Sequence, residues 1–132
     1  MKPTMIAICV LGFIIGSIIY INTHKHYITV KAYCSCSICT NGKGITAYGL
    51  SSGDEGMAAQ RKLRNCMVNI PEYGNMWIDD ISPWASEHTD AIDRLEIRFT
   101  SHQQALNFGT RKYELIGIAR DYLGRIISIQ LR

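Results

Sequence analysis

No charged residue stands between Lys2 and Lys25, and Met5 to Ile21 is an apolar run broken only by Gly12, Gly16 and Ser17. A buried core helix would show a polar stripe, and this run has none. At about 1.5 Å per residue, such a run nearly crosses a hydrocarbon core roughly 30 Å thick. It therefore reads as a membrane-directed helix. Small residues are also missing where a signal peptidase would need them: the run ends in Ile-Ile-Tyr-Ile-Asn-Thr-His-Lys-His. Cys9 lacks the small residues that a lipoprotein cleavage site places before it. Residues 1–26 are thus expected to be a retained single-pass anchor with a short linker, a cleaved signal being the other reading. The charge bias across the run is too weak to orient it. Basic runs and Lys/Arg stripes are absent as well, with a formal net charge of +3 over 132 residues. That excludes a nucleic-acid partner. There is no repeat, no low-complexity stretch and no serine in a triad motif.

Residues 27–132 are expected to form one domain, mainly β. Tyr27 to Tyr33 alternates and is rich in Ile, Thr, Val and Tyr, which suits a strand. Ile45–Leu50, Cys66–Ile70 and Met76–Ile81 read as further strands. Asn41 to Gly44, Ser51 to Gly56 and Pro71 to Asn75 read as turns or loops. Leu95, Ile97 and Phe99 alternate with Glu96, Arg98 and Thr100, the period of a half-buried strand. Ser101 and Gln104 have capping-box spacing, and Gly109 fits the end of the short helix they open. Tyr113–Ile118 and Arg125–Leu131 complete the strands. Pattern alone leaves a barrel and a sandwich equally open.

Five segments carry a more specific signal: AYCSCSIC (Ala32 to Cys39), GITAYG (Gly44 to Gly49), WIDD (Trp77 to Asp80), RLEIRF (Arg94 to Phe99) and SHQQALNFG (Ser101 to Gly109). In this order and at these spacings the set resembles the three-aspartate domain over roughly residues 28 to 118. That domain is a small double-psi β-barrel of peptidoglycan-cleaving lytic transglycosylases and related cell-wall proteins. The resemblance implies a six-stranded double-psi barrel with one short helix, held outside the cytoplasm, with peptidoglycan glycan strands as partner. It also implies that no cofactor is needed.

The resemblance further implies a chemistry. A lytic transglycosylase uses one carboxylic acid, which protonates the glycosidic oxygen between N-acetylmuramic acid and N-acetylglucosamine. The same group then takes the proton of the muramic 6-hydroxyl as that oxygen closes a 1,6-anhydro ring. The acid needs a raised pKa and neighbours that position it. Matched motif to motif, the family's first aspartate falls on Gln60, in Met57-Ala58-Ala59-Gln60. The second falls on Asp80, with Asp79 a near-equal candidate, and Ile81-Ser82 stands where the family has Thr-Gly. The third falls on Glu96, which corresponds to the catalytic acid of the membrane-bound lytic transglycosylase A family. Glu96 is therefore the expected acid and Asp80 its supporting carboxylate. Asp79, Trp84 and Gln60 are expected to contact substrate. For Trp77, Trp84 and Tyr73, stacking on sugar and packing in the core are both open. A solvated strand face is the plainer role for Glu96, and a loop acid the plainer one for Asp80.

Cys34, Cys36 and Cys39 form a C-x-C-x2-C cluster, and Cys66 is the fourth cysteine of the domain. Four cysteines allow three fully paired arrangements. A zinc site would need a second cluster, and His88 and His102 are distant in sequence. No metal site is expected on that ground. An extracytoplasmic domain favours disulfides, and the family often carries cysteines in this segment. At least one bridge from the cluster to Cys66 is expected, with buried free thiols as the alternative. The remaining functional alternative is a barrel that binds the wall, or assists phage lysis or assembly, without catalysis.

Overall fold

The computed structural model describes residues 25–36, 39, 46, 48, 54–85 and 91–132. The expected anchor lies outside these residues, as does most of the strand expected at Ile45–Leu50. Among the described residues no helix is long and apolar enough to cross a membrane.

The strands are β1 (Tyr27–Cys34), β2 (Gly56–Ala59), β3 (Met67–Ile70), β4 (Gly74–Ile81), β5 (Arg94–Phe99), β6 (Thr110–Arg120) and β7 (Ile126–Leu131). One short helix, α1 (His102–Phe108), joins β5 to β6. The strands close into a barrel in the order β1-β5-β2-β4-β3-β7-β6, with β6 returning to β1. Three neighbouring pairs, β1/β5, β2/β4 and β3/β7, run parallel. Closure removes the open edges that a sheet of this size would otherwise present.

Among the described residues the barrel has seven strands, one more than the resemblance implies. The strand that pattern did not indicate is β2, where Gly56, Met57, Ala58 and Ala59 are all buried. A strand covered on both sides loses the alternation that marks a half-buried one. Strand β7, expected at Arg125–Leu131, lies beyond the span of the resemblance and closes the barrel between β3 and β6.

Alternation decides which residues face the core. Ile28, Val30 and Cys34 of β1, Leu95, Ile97 and Phe99 of β5, and Met76 and Ile78 of β4 join Leu63, Val68, Ile70, Phe108 and Ile129 in one apolar cluster. The residues between them, Lys31 and Tyr33 on β1 and Glu96 and Arg98 on β5, point to the opposite face. The expected half-burial of β5 is overturned there: Glu96 is 6% exposed and Arg98 0%. Chain from other elements covers this outer face, through Asp54, whose carbonyl accepts from Arg98 Nε at 2.8 Å, and through Ser82.

Helix α1 forms as its capping residues dictate. The Ser101 hydroxyl accepts from the Gln104 amide at 3.1 Å, while Gln104 Oε1 accepts from the Ser101 amide at 3.2 Å. Gly109 takes φ +64° and its amide donates to the Ala105 carbonyl. These caps fix where α1 begins, and so where its first residue, His102, stands.

Candidate functional site

Two rows of residues cross the outer face of β1, β5 and β2. In one, Lys31 stands opposite Glu96 and Glu96 opposite Ala58, which in turn pairs with Asp80 of β4. In the other, Tyr33 stands opposite Arg98 and Arg98 opposite Gly56. The two small residues of β2 leave room above the sheet for the long polar groups on either side.

Register on β4 shifts between Met57 and Ala58: Met57 pairs with Ile78, and Ala58 with Asp80. The extra residue is Asp79. A bulge of this kind re-aims side chains that strict alternation would send to opposite faces, and here both adjacent acids reach the outer face. Asp79 receives Arg98 in a two-pronged ion pair, Nη1 to Oδ1 at 3.0 Å and Nη2 to Oδ2 at 2.6 Å. Asp80 takes a different place. Its Oδ2 accepts from the Tyr33 hydroxyl at 3.1 Å and lies 3.9 Å from Arg98 Nη1, and its Oδ1 accepts from the Ile81 amide at 2.9 Å. Tyr33 also accepts from Arg98 Nη1 at 3.3 Å. Burial holds the Tyr33 hydroxyl well above the usual phenol range, so it stays a donor to Asp80.

Lys31, Tyr33, Ala58, Asp80, Trp84 and Glu96 line a cleft of ≈ 390 Å³, with Cys39 on its wall. Burial raises the pKa of Glu96 above its ordinary value of 4.5. A hydrogen bond from the Ser82 hydroxyl and the charges of Lys31 and Arg94 oppose that rise, and the Asp80 charge adds to it. Desolvation therefore leads, with the neighbouring carboxylate a lesser contributor. Ser82 is itself held in place: it is 2% exposed, and its Oγ accepts from the Trp84 amide at 3.2 Å.

Glu96, Asp80 and Trp84 thus share one cleft. Asp79 is committed to Arg98 and lines a neighbouring depression beside Trp77 and Tyr73. Gln60 does not line the cleft; it is 2% exposed and donates from Nε2 to the Ala91 carbonyl at 3.2 Å. The core alternative for the tryptophans is excluded, since Trp77 is 55% and Trp84 64% exposed. Four members of the site, Lys31, Tyr33, Arg98 and Ser82, were not expected from the sequence. Arg98 looked like the polar phase of a strand with one wet face, and Ser82 like part of an irregular loop.

The cysteines depart from expectation. No disulfide joins Cys34, Cys36, Cys39 or Cys66, so the structure does not have the bridge expected to Cys66. Cys66 is fully buried, contacts the Met67 carbonyl at 3.6 Å, and is pushed up to about 11 by burial. Cys34, Cys36 and Cys39 converge on His102 instead. The Cys34 sulfur lies 2.8 Å from that of Cys36 and 3.5 Å from that of Cys39. His102 Nδ1 lies 3.5, 3.4 and 3.5 Å from the sulfurs of Cys34, Cys36 and Cys39.

No family model, no curated protein and no solved structure matches this chain.

Proposed function

We propose that this protein acts on peptidoglycan as a lytic transglycosylase, with Glu96 as the single acid. The observation that carries the reading is a buried carboxyl of raised pKa opening into a cleft beside a second carboxylate and an exposed tryptophan. The residues that carry the resemblance support it, and on this reading the barrel is of the double-psi type. Protonated Glu96 donates to the glycosidic oxygen as the bond to the anomeric carbon breaks. Its carboxylate then accepts the proton of the muramic 6-hydroxyl while that oxygen bonds to the anomeric carbon, so no water is consumed. Asp80, fixed by Tyr33 and the Ile81 amide, stabilises positive charge developing on the sugar. Trp84 offers a ring for a sugar face. The uncharged run at residues 3–24 anchors the domain to the membrane, facing the wall.

The test is product analysis after incubation of intact sacculi with the protein. Muropeptides ending in 1,6-anhydro rings are expected, and new reducing ends alone would assign hydrolysis instead.

A second reading has its own observation. Gln60 replaces the family's first acid and is turned away from the cleft toward the Ala91 carbonyl. A barrel that binds glycan through Trp84 without cleaving it fits that loss, and sacculi that bind the protein yet release nothing would favour it.

A further inference from the structure

The sulfurs of Cys34, Cys36 and Cys39 and the Nδ1 of His102 lie within 4.8 Å of one another, at the junction of β1, the segment after it and the first turn of α1. We infer that these four residues bind one zinc ion in a closed tetrahedral site.

The distances fit that ion. With Zn–S near 2.3 Å and Zn–N near 2.1 Å, a tetrahedron has S···N edges of about 3.6 Å and S···S edges of about 3.8 Å. The three S···N separations here are 3.4 to 3.5 Å, so the imidazole nitrogen is almost equidistant from the sulfurs. Cys34–Cys39, at 3.5 Å, is also close to a tetrahedral edge. Cys34–Cys36, at 2.8 Å, is short, and this pair must part by about 1 Å around the ion.

The donor set points to zinc by its chemistry. Three thiolates and an imidazole are soft-to-borderline ligands that suit zinc and disfavour calcium, magnesium and manganese. Binding releases three thiol protons and forms three Zn–S bonds and one Zn–N bond, with a net charge of −1 on the centre. All four positions belong to protein, so no coordination site is open to substrate. That is the arrangement of a structural site.

Local structure brings the ligands together. Cys34 ends β1 in the core at 1% exposure. The chain then turns, the Cys39 amide donating to the Cys36 carbonyl at 3.1 Å. The capping box of Ser101 sets His102 at the start of α1, which packs on β1 and β5. Sequence spacing concealed the site because its fourth ligand lies 66 residues beyond Cys36. The ion joins α1 to the end of β1 one residue after Tyr33, and it fixes Cys39 on the cleft wall. The inference does not depend on the proposed activity, because its readout is the metal.

The test is metal analysis of the full chain, purified in detergent under reducing conditions without chelator. One zinc per chain is expected. Cobalt exchanged into the site should give a thiolate-to-cobalt charge-transfer band and the intense visible bands of tetrahedral cobalt. Cys39→Ser alters an exposed position and leaves the core intact; it should abolish stoichiometric zinc, as should His102→Ala. His102→Cys should restore zinc, and Cys66→Ala should retain it. Absence of bound metal, stoichiometric iron or copper in its place, full zinc in Cys39→Ser, or a disulfide between cluster cysteines in the freshly isolated protein would each overturn the assignment.

Discussion

Arg98 and Asp79 are joined by two hydrogen bonds, of 3.0 and 2.6 Å, although the arginine side chain is completely buried and the aspartate side chain only 20% exposed. A guanidinium cannot shed its proton, so it depends on these acceptors, on the Asp54 carbonyl and on Tyr33. Asp79→Ala strands a buried charge and should destabilise the domain by about 3 kcal/mol. Asp80→Ala, which leaves the two-pronged pair in place, should cost less. Chemical denaturation of both variants checks the order.

Gly56 lies beneath that pair. A methyl group added there would meet Arg98 Nη2 and come within 2.6 Å of Asp79 Oδ2. Gly56→Ala should therefore push the pair apart and lower stability by about 1–3 kcal/mol, the usual cost of overpacking. In the Asp79→Ala background the same change should cost less, because one of the two side chains it would strike is gone and Arg98 is no longer held by the pair. A double-mutant cycle measures the difference.

Glu96 gives stability a definite pH dependence. Its folded pKa is raised, so the folded state holds this proton more tightly than the unfolded state. The stabilisation is complete below the ordinary value of 4.5 and is lost as pH rises through the raised folded value. Glu96→Gln removes this dependence and should be more stable than the parent at neutral pH, with the gap closing in acid. Denaturation across a pH series, read as the difference between the two proteins, isolates this group from the exposed pairs at Glu114 and Asp121. Their pKa values are lowered, with Arg132 and Arg125 respectively as hydrogen-bond partners, and so they act in the opposite sense.

Trp84 separates binding from folding. At 64% exposure its removal should change stability by no more than about 0.5 kcal/mol. Loss of a stacking face should weaken glycan binding by about 1 kcal/mol, near fivefold. A Trp84→Ala protein that binds sacculi as tightly as the parent would place the glycan elsewhere.

Much of the fold was legible in the sequence because its signals are local. The alternation from Tyr27 to Tyr33, the Ser101–Gln104 capping box and Gly109 each act within a few residues, and the structure has the strand and the helix where those signals lie. Strand β2 was not legible as a strand in that way, being short and buried on both sides. The proximity of Asp80 and Glu96 followed from motif matching, but their different environments did not. A one-residue bulge sends Asp79 to Arg98 and Asp80 to the cleft, and it appears only when β2 and β4 pair. His102 stayed hidden for the same reason, since long-range pairing alone carries it to the cysteines.

The proton-transfer role of Glu96 is the central claim, and the most direct measurement compares soluble products released from purified sacculi by the parent, Glu96→Gln and Glu96→Asp. Glutamine keeps the shape of the side chain and removes the transferable proton; aspartate keeps a carboxyl and shortens its reach by one methylene. The parent should release 1,6-anhydro muropeptides, Glu96→Gln at least about a hundredfold less, on the order expected for loss of general acid–base catalysis, and Glu96→Asp as much or more. A folded Glu96→Gln protein that releases the same products at the parent's rate would contradict it.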